Sequence, residues 1–187
     1  MNMIGTYDDS DMKIADGKKK SVEQQYDGES VNFYEEQTEN GNLAKAQRVG
    51  ATLAENVDRL IFEQPKLSEC TAGLPVQKKL LMIFGFVAGI EEFTPNKLLI
   101  RTCLNVFYDT LKRESPAIYE SMGLTGAFSF FYLEYRRKGD SAQNIANAFA
   151  MLCGADGNDE YIALGSKIFG EYFSFVEKLT EEVGYVR

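Results

Sequence analysis

The side chains that could carry acid–base chemistry in this chain are Asp, Glu, Lys, Tyr and Cys, because the sequence contains no histidine. Histidine is the side chain that ordinarily titrates between about pH 5 and 8, and it is the commonest metal ligand. Its absence excludes Ser-His-Asp and Cys-His hydrolysis, and it excludes zinc or haem held by a histidine of this chain. The sequence therefore predicts no catalytic residue, and an enzyme that works without histidine is kept as an alternative.

Two adjacent carboxylates, Glu91 and Glu92, directly follow the most apolar run of the chain, the eleven residues 80–90. Anions are unfavourable at the C-terminal end of a helix, and apolar surroundings are unfavourable for any charged group. The position makes the pair a candidate for acid–base work or for binding a ligand. The alternative, which we favour, is that both are solvated residues at the start of a loop.

Glycines inside several predicted helices lie next to dense aromatic residues, a pattern that fits either close helix packing or a ligand cavity between helices. A cavity of this kind would be lined by aromatic rings and a few polar groups. The candidate ligand-binding residues are Glu91, Glu92, Arg101, Phe128, Phe131, Tyr132, Tyr172 and Phe173. The alternative, a well-filled aromatic core, is the interpretation that the sequence favours.

No motif predicts a metal or a cofactor. The segment 156–160 has the composition of a calcium loop, but Tyr161 and Lys167 stand where an EF-hand needs its glycine and its bidentate glutamate. We therefore interpret this segment as the cap of the following helix. The three cysteines, Cys70, Cys103 and Cys153, have no CxxC spacing, which predicts reduced thiols. No glycine-rich loop follows a strand, so neither a P-loop nor a dinucleotide site is expected.

The elements that must position these side chains are helices, since apolar residues recur every three or four positions from residue 42 onward. Start signals at Thr94-Pro95, at Ser115-Pro116 and at either Asp140 or Ser141 separate the predicted helices. The helix that starts at Pro116 is expected to end in a basic last turn, Arg136-Arg137-Lys138, before a C′ glycine at Gly139. The sequence thus predicts an all-α fold of about six helices, arranged as a bundle or as stacked antiparallel helical hairpins.

Glycine spacing predicts where two of these helices approach closely. Gly85 and Gly89 are four residues apart in the apolar run, which is too short to span a bilayer and suits a buried helix. In a protein core this spacing lets a second helix come close. Gly123, Gly126, Gly165 and Gly170 are expected to serve the same purpose or to relieve crowding beside aromatic rings.

The composition changes near Gly41, which divides the chain into an acidic N-terminal extension, residues 1–41, and a helical domain, residues 42–187. The extension holds ten acids against four lysines, and much of the net charge of −8 comes from it. Its scattered aromatic residues suit an arm that lies on the domain or a peptide offered to a basic partner. A nucleic acid would be repelled by the acidic extension and would not be attracted by the nearly neutral domain, because binding to phosphates needs an excess of positive charge.

These exclusions favour a non-enzymatic protein that acts by binding another protein or a second copy of itself as a homodimer. No signal segment is visible at the N-terminus, and the protein is expected to be cytoplasmic. Neither a nucleic acid, a membrane nor a cofactor is expected as a partner. The alternative function is a small-ligand sensor, or a histidine-independent enzyme, with a pocket between helices.

Overall fold

A computed structural model describes residues 31–57 and 74–186, and every regular element within those ranges is an α-helix. The chain divides at Asn40 into two units, and the described part of the first unit is helix α1, residues 31–39. The second unit contains α2 (Asn42–Asn56), α3 (Leu74–Phe93), α4 (Lys97–Glu114), α5 (Pro116–Leu124), α6 (Ala127–Arg136), α7 (Ser141–Leu152) and α8 (Asp159–Val183). The predicted all-α fold is confirmed.

The helix predicted from Pro116 to the basic turn at Lys138 is two helices, and the second ends at Arg136. This division accounts for one of the differences from the predicted number of helices. Gly126 adopts the left-handed conformation with φ of 66°, which ends helical hydrogen bonding and starts α6 on a new axis. Apart from the adjoining residues and the backbone of the same helix turn, no described atom lies within 4 Å of the position that a Cβ would take at Gly123, Gly126 or Gly170. The expectation of close packing at these three glycines is wrong.

Helix α3 is the element around which the second unit packs. All eleven residues from Leu80 to Ile90 are buried, so this helix is covered on every side. Helices α4, α5, α6, α7 and α8 all contact it, and α8 contacts it most extensively. A helix that is apolar all round must be buried, and the long uncharged run in the sequence has this consequence.

The α3–α8 contact depends on two glycines. A Cβ at Gly89 would lie 2.7 Å from the Cβ of Val176, and one at Gly85 would lie 3.3 Å from the Cβ of Tyr172. The predicted close approach at the Gly85–Gly89 pair is confirmed. Gly50 makes the same kind of contact between α2 and the backbone of Cys103 in α4.

Local capping residues set several helix starts as predicted. The Asp140 carboxylate accepts hydrogen bonds from the first amides of α7, and the Asn158 amide oxygen accepts them from the first amides of α8. The acidic segment before α8 is therefore a helix cap. At α4 the cap is Asn96, whose side chain accepts from the Leu99 amide at 3.0 Å, so this helix starts later than Thr94-Pro95 predicts. Thr94 is instead buried.

The C-terminal residues are held by the first turn of α2. The Asn42 side chain donates to the Val186 carbonyl at 2.8 Å and accepts from the Val186 amide at 2.9 Å. The Lys45 ammonium donates to the Gly184 carbonyl at 2.7 Å. Asn42 is fully buried, so this pairing brings the two ends of the second unit together.

Alanine at two glycines tests the α3–α8 contact. Gly89→Ala is expected to destabilise the fold by about 1–3 kcal/mol, because the Val176 Cβ cannot move without shifting α8. The matched variant Gly170→Ala places its methyl in open space on α8, and it is expected to stabilise the fold by about 0.5–1 kcal/mol. Urea unfolding followed by circular dichroism measures both, and a loss of stability in Gly170→Ala equal to that in Gly89→Ala would contradict the explanation.

Candidate functional site

The aromatic cleft considered from the sequence is filled by its own rings. Phe84 of α3 lies at its centre, with ring centroids 5.5 Å from Phe131 and 6.2 Å from Phe169. Phe131 has no exposed surface. Ring contacts at such distances are those of a packed core. The interpretation as an aromatic core therefore holds for this part of the site.

Two further candidate residues belong to the core as well. Tyr172 packs edge-on against Phe86, with centroids 5.4 Å apart, and it is buried. Phe173 is half-buried between Phe169 at 5.4 Å and Phe93 at 4.9 Å. Both residues stabilise the contact between α3 and α8, and neither lines the surface groove that holds two of the other aromatic candidates.

A surface groove between α3, α4 and α6 brings three of the candidate residues together. It encloses about 470 Å³. The residues that line it, which we call the aromatic groove, are Phe84, Val87, Glu91, Tyr108, Phe128, Ser129, Tyr132 and Leu133. Glu91, Phe128 and Tyr132 were candidates from the sequence.

Sequence reasoning missed five of the lining residues, which are Phe84, Val87, Tyr108, Ser129 and Leu133, and Tyr108 is the one that α4 contributes. Ile100, Leu104 and Tyr108 recur every four residues beside the buried stripe of α4, and all three are half-buried. A second apolar stripe beside a core stripe indicates a helix that contacts neighbours on two sides. The four-residue spacing on α4 indicates an apolar face that is half-exposed. It does not specify which helix packs against that face.

Glu91 gives the aromatic groove its charge. It lies in the last turn of α3, is exposed, and has no ion pair among the residues that the structure describes. Burial raises the pKa of the Tyr108 phenol to about 12, and the negative charge of Glu91 acts in the same direction. The phenol therefore keeps its proton well above neutral pH.

The rim of the groove already carries one cation. The Arg136 guanidinium lies 5.1 Å from the centroid of the Tyr132 ring and donates to its hydroxyl at 2.7 Å. Residues four apart on a helix are neighbours on its surface, and this contact follows from that spacing. Tyr132 is 41% exposed, so its ring is accessible from solvent.

The last two candidate residues lie outside this groove. Glu92 is exposed next to Glu91, and Arg101 is exposed on α4 without an ion pair among the described residues. Both glutamates belong to α3 itself, so the expectation that a loop starts at Glu91 is wrong. The charge of Glu92 contributes, after burial, to raising the pKa of Tyr135.

Neither a metal site nor a membrane-spanning helix is found among the residues that the structure describes. These residues contain no cluster of acids and cysteines that could hold a metal ion, and none of their helices is long and apolar enough to cross a membrane. Cys103 and Cys153 are buried free thiols, and burial raises their pKa values to about 12 and about 11. Cys70 and residues 1–30 of the predicted N-terminal extension lie outside the described residues.

Comparisons of the chain with protein-family models, with curated proteins and with solved structures found no match. No relative therefore bears on its function. The proposals below rest on the geometry of the aromatic groove alone.

Replacing the Tyr108 phenol tests its environment. An unburied tyrosine has a pKa of about 10, so the pKa of about 12 in the folded chain means that folding favours the protonated phenol. Its contribution to stability is complete below pH 10 and is lost as the pH rises from 10 to 12. Tyr108→Phe is expected to make stability fall less steeply across this interval, measured by urea unfolding at several pH values. If stability falls equally steeply with pH in the variant, the raised pKa is not that of Tyr108.

Proposed function

We propose that this protein acts by binding another protein, and that the aromatic groove is the surface that binds it. The observation that carries the proposal is the exposure of two large apolar side chains beside a preformed cavity. Leu133 is 67% exposed and Tyr132 is 41% exposed, and both line a groove whose floor includes the buried Phe84. Exposed apolar side chains at an apolar cleft are typical of interaction sites.

The rigidity of the groove supports this function. Its three walls are helices, and Phe84 is fixed by ring contacts with Phe128 at 5.6 Å and with Phe131 at 5.5 Å. A surface that is already ordered loses little conformational entropy on binding, so more of the contact energy contributes to affinity. Helical anchors in a groove of this kind are a common mode of peptide recognition.

The proposal includes a cytoplasmic location and excludes a nucleic acid or a membrane as the partner. Buried free thiols at Cys103 and Cys153 support a reducing compartment. The negative charge of Glu91 in the groove, together with the net charge of −8, opposes a polyanion. Catalysis is not proposed, because a phenol with a pKa of about 12 is not a general base near neutral pH.

A small-ligand site is the second candidate function, and the size of the groove favours it. About 470 Å³ lies within the range of roughly 300–1,000 Å³ that small-molecule sites occupy. The Tyr108 phenol and the Glu91 carboxylate would supply the few polar contacts. The openness of the groove and the exposure of Leu133 lead us to favour a protein partner.

Photocross-linking followed by affinity measurement tests the leading function. A photoreactive amino acid in place of Leu133 is expected to cross-link the partner in cells, whereas the same amino acid in place of Met151 is expected to give no cross-link. With the purified partner, Leu133→Asp is expected to weaken binding about tenfold or more, because it places a charge in an apolar contact.

Met151→Asp is the matched control for this measurement. Met151 is 49% exposed on α7 and does not line the aromatic groove, so its substitution is expected to leave affinity unchanged. Equal losses of affinity in both variants, or a cross-link from position 151 and none from position 133, would contradict the assignment of the docking surface.

A further inference from the structure

Four aromatic rings and one carboxylate line the aromatic groove, and this combination has a specific chemical preference. Phe84 forms the floor, Tyr108 and Phe128 are half-buried, and Tyr132 is exposed at the rim. The face of an aromatic ring carries partial negative charge, so clustered rings attract cations, and they do so more strongly where water is partly excluded.

Glu91 makes this preference stronger. Of the described residues that line the groove, it alone carries a charge. It forms no ion pair among the described residues, so its charge is available to a ligand. Arg136, the cation over the Tyr132 ring, is not part of the lining and is 5.1 Å from that ring's centroid. The contact shows that a ring of this surface accepts a cation from the protein itself.

We infer that the partner inserts a cationic side chain, lysine or arginine, into the aromatic groove between apolar anchors. The inference rests on the proposed protein-binding function and names the chemistry of the partner. The cation meets the Glu91 carboxylate and the rings of Tyr108 and Tyr132, while the flanking apolar residues cover Leu133 and Val87. An acidic segment is disfavoured, since Glu91 and the neighbouring Glu92 would repel it.

The long aliphatic stem of such a side chain also fits this lining. Lysine and arginine bury their methylene groups against apolar surface and place the charge at the end. The groove offers apolar contact along Phe84, Val87 and Phe128, and its charge lies at Glu91. A cation on a long stem therefore satisfies both parts of the groove at once.

A matched pair of peptides tests the inference with the full chain. Both are capped, alanine-based helical 16-mers with two leucine anchors one helical turn to either side of the variable position. One carries lysine at that position, and the other carries norleucine, which keeps the stem and removes the charge. Binding is measured by shifts of amide signals in NMR titrations. The lysine peptide is expected to bind about five- to tenfold more tightly, with the shifts centred on the groove lining.

Two variants test whether the preference for the lysine peptide depends on the Glu91 carboxylate. Glu91→Gln removes the charge from the lining and is expected to bring the lysine and norleucine peptides to within about twofold of each other. Glu92→Gln removes an equal charge from the neighbouring exposed position, outside the lining, and is expected to keep most of the preference. Circular dichroism of both variants verifies that the fold is unchanged.

Three results would overturn the inference. Equal affinity of the two peptides at the groove would mean that no cation is recognised, and it would leave the protein-binding function standing. The absence of shifts in the lining with either peptide would mean that the groove does not take this chemistry, and the Leu133 cross-linking then decides the function separately. A dimer of the full chain in sedimentation, dissociated by Leu133→Asp, would assign the groove to a second copy.

Discussion

The second unit depends on the complete burial of α3, which requires other helices to cover it on every side. The closest of these helices is α8, and the absence of side chains at Gly85 and Gly89 lets it approach. Dispersion stabilises the fold most where atoms are in close contact, and the two glycines permit that contact. This gain offsets the conformational entropy that glycine costs in a helix. The positions of α4 and α6 follow, because each must cover a remaining face of the same helix.

The aromatic groove is a consequence of where α3 leaves the core. Phe84 belongs to the packed aromatic cluster and also lines the groove, and Glu91 follows two turns later where the helix becomes exposed. A single helix therefore supplies both the stability of the core and the charge of the proposed site. Changes at Phe84 would affect folding and binding together, whereas Leu133 and Glu91 offer exposed positions at which binding can be altered alone.

The sequence predicted the positions of most helices, but it predicted only part of the aromatic groove. The caps at Asp140 and Asn158 and the buried stripe of α4 follow from contacts within a few residues, which a sequence displays directly. The division at Gly126 of the helix predicted from Pro116 to Lys138 was missed, because glycine is compatible with both a helix and a left-handed turn. Phe131, Tyr172 and Phe173 were grouped with Phe128 and Tyr132, although packing places the first three in the core and leaves the other two at the groove.

The sequence by itself determined the helical class, most helix starts, the burial of α3 and the absence of histidine chemistry. These properties arise from residue type and from spacing of three or four positions, so they are local. Only the tertiary structure decided that Glu91, Tyr108 and Tyr132 share one groove, and that Asn42 pairs with Val186 across a separation of 144 residues. Such pairings depend on how whole helices pack against each other, and side-chain spacing along one helix does not specify which surface it meets.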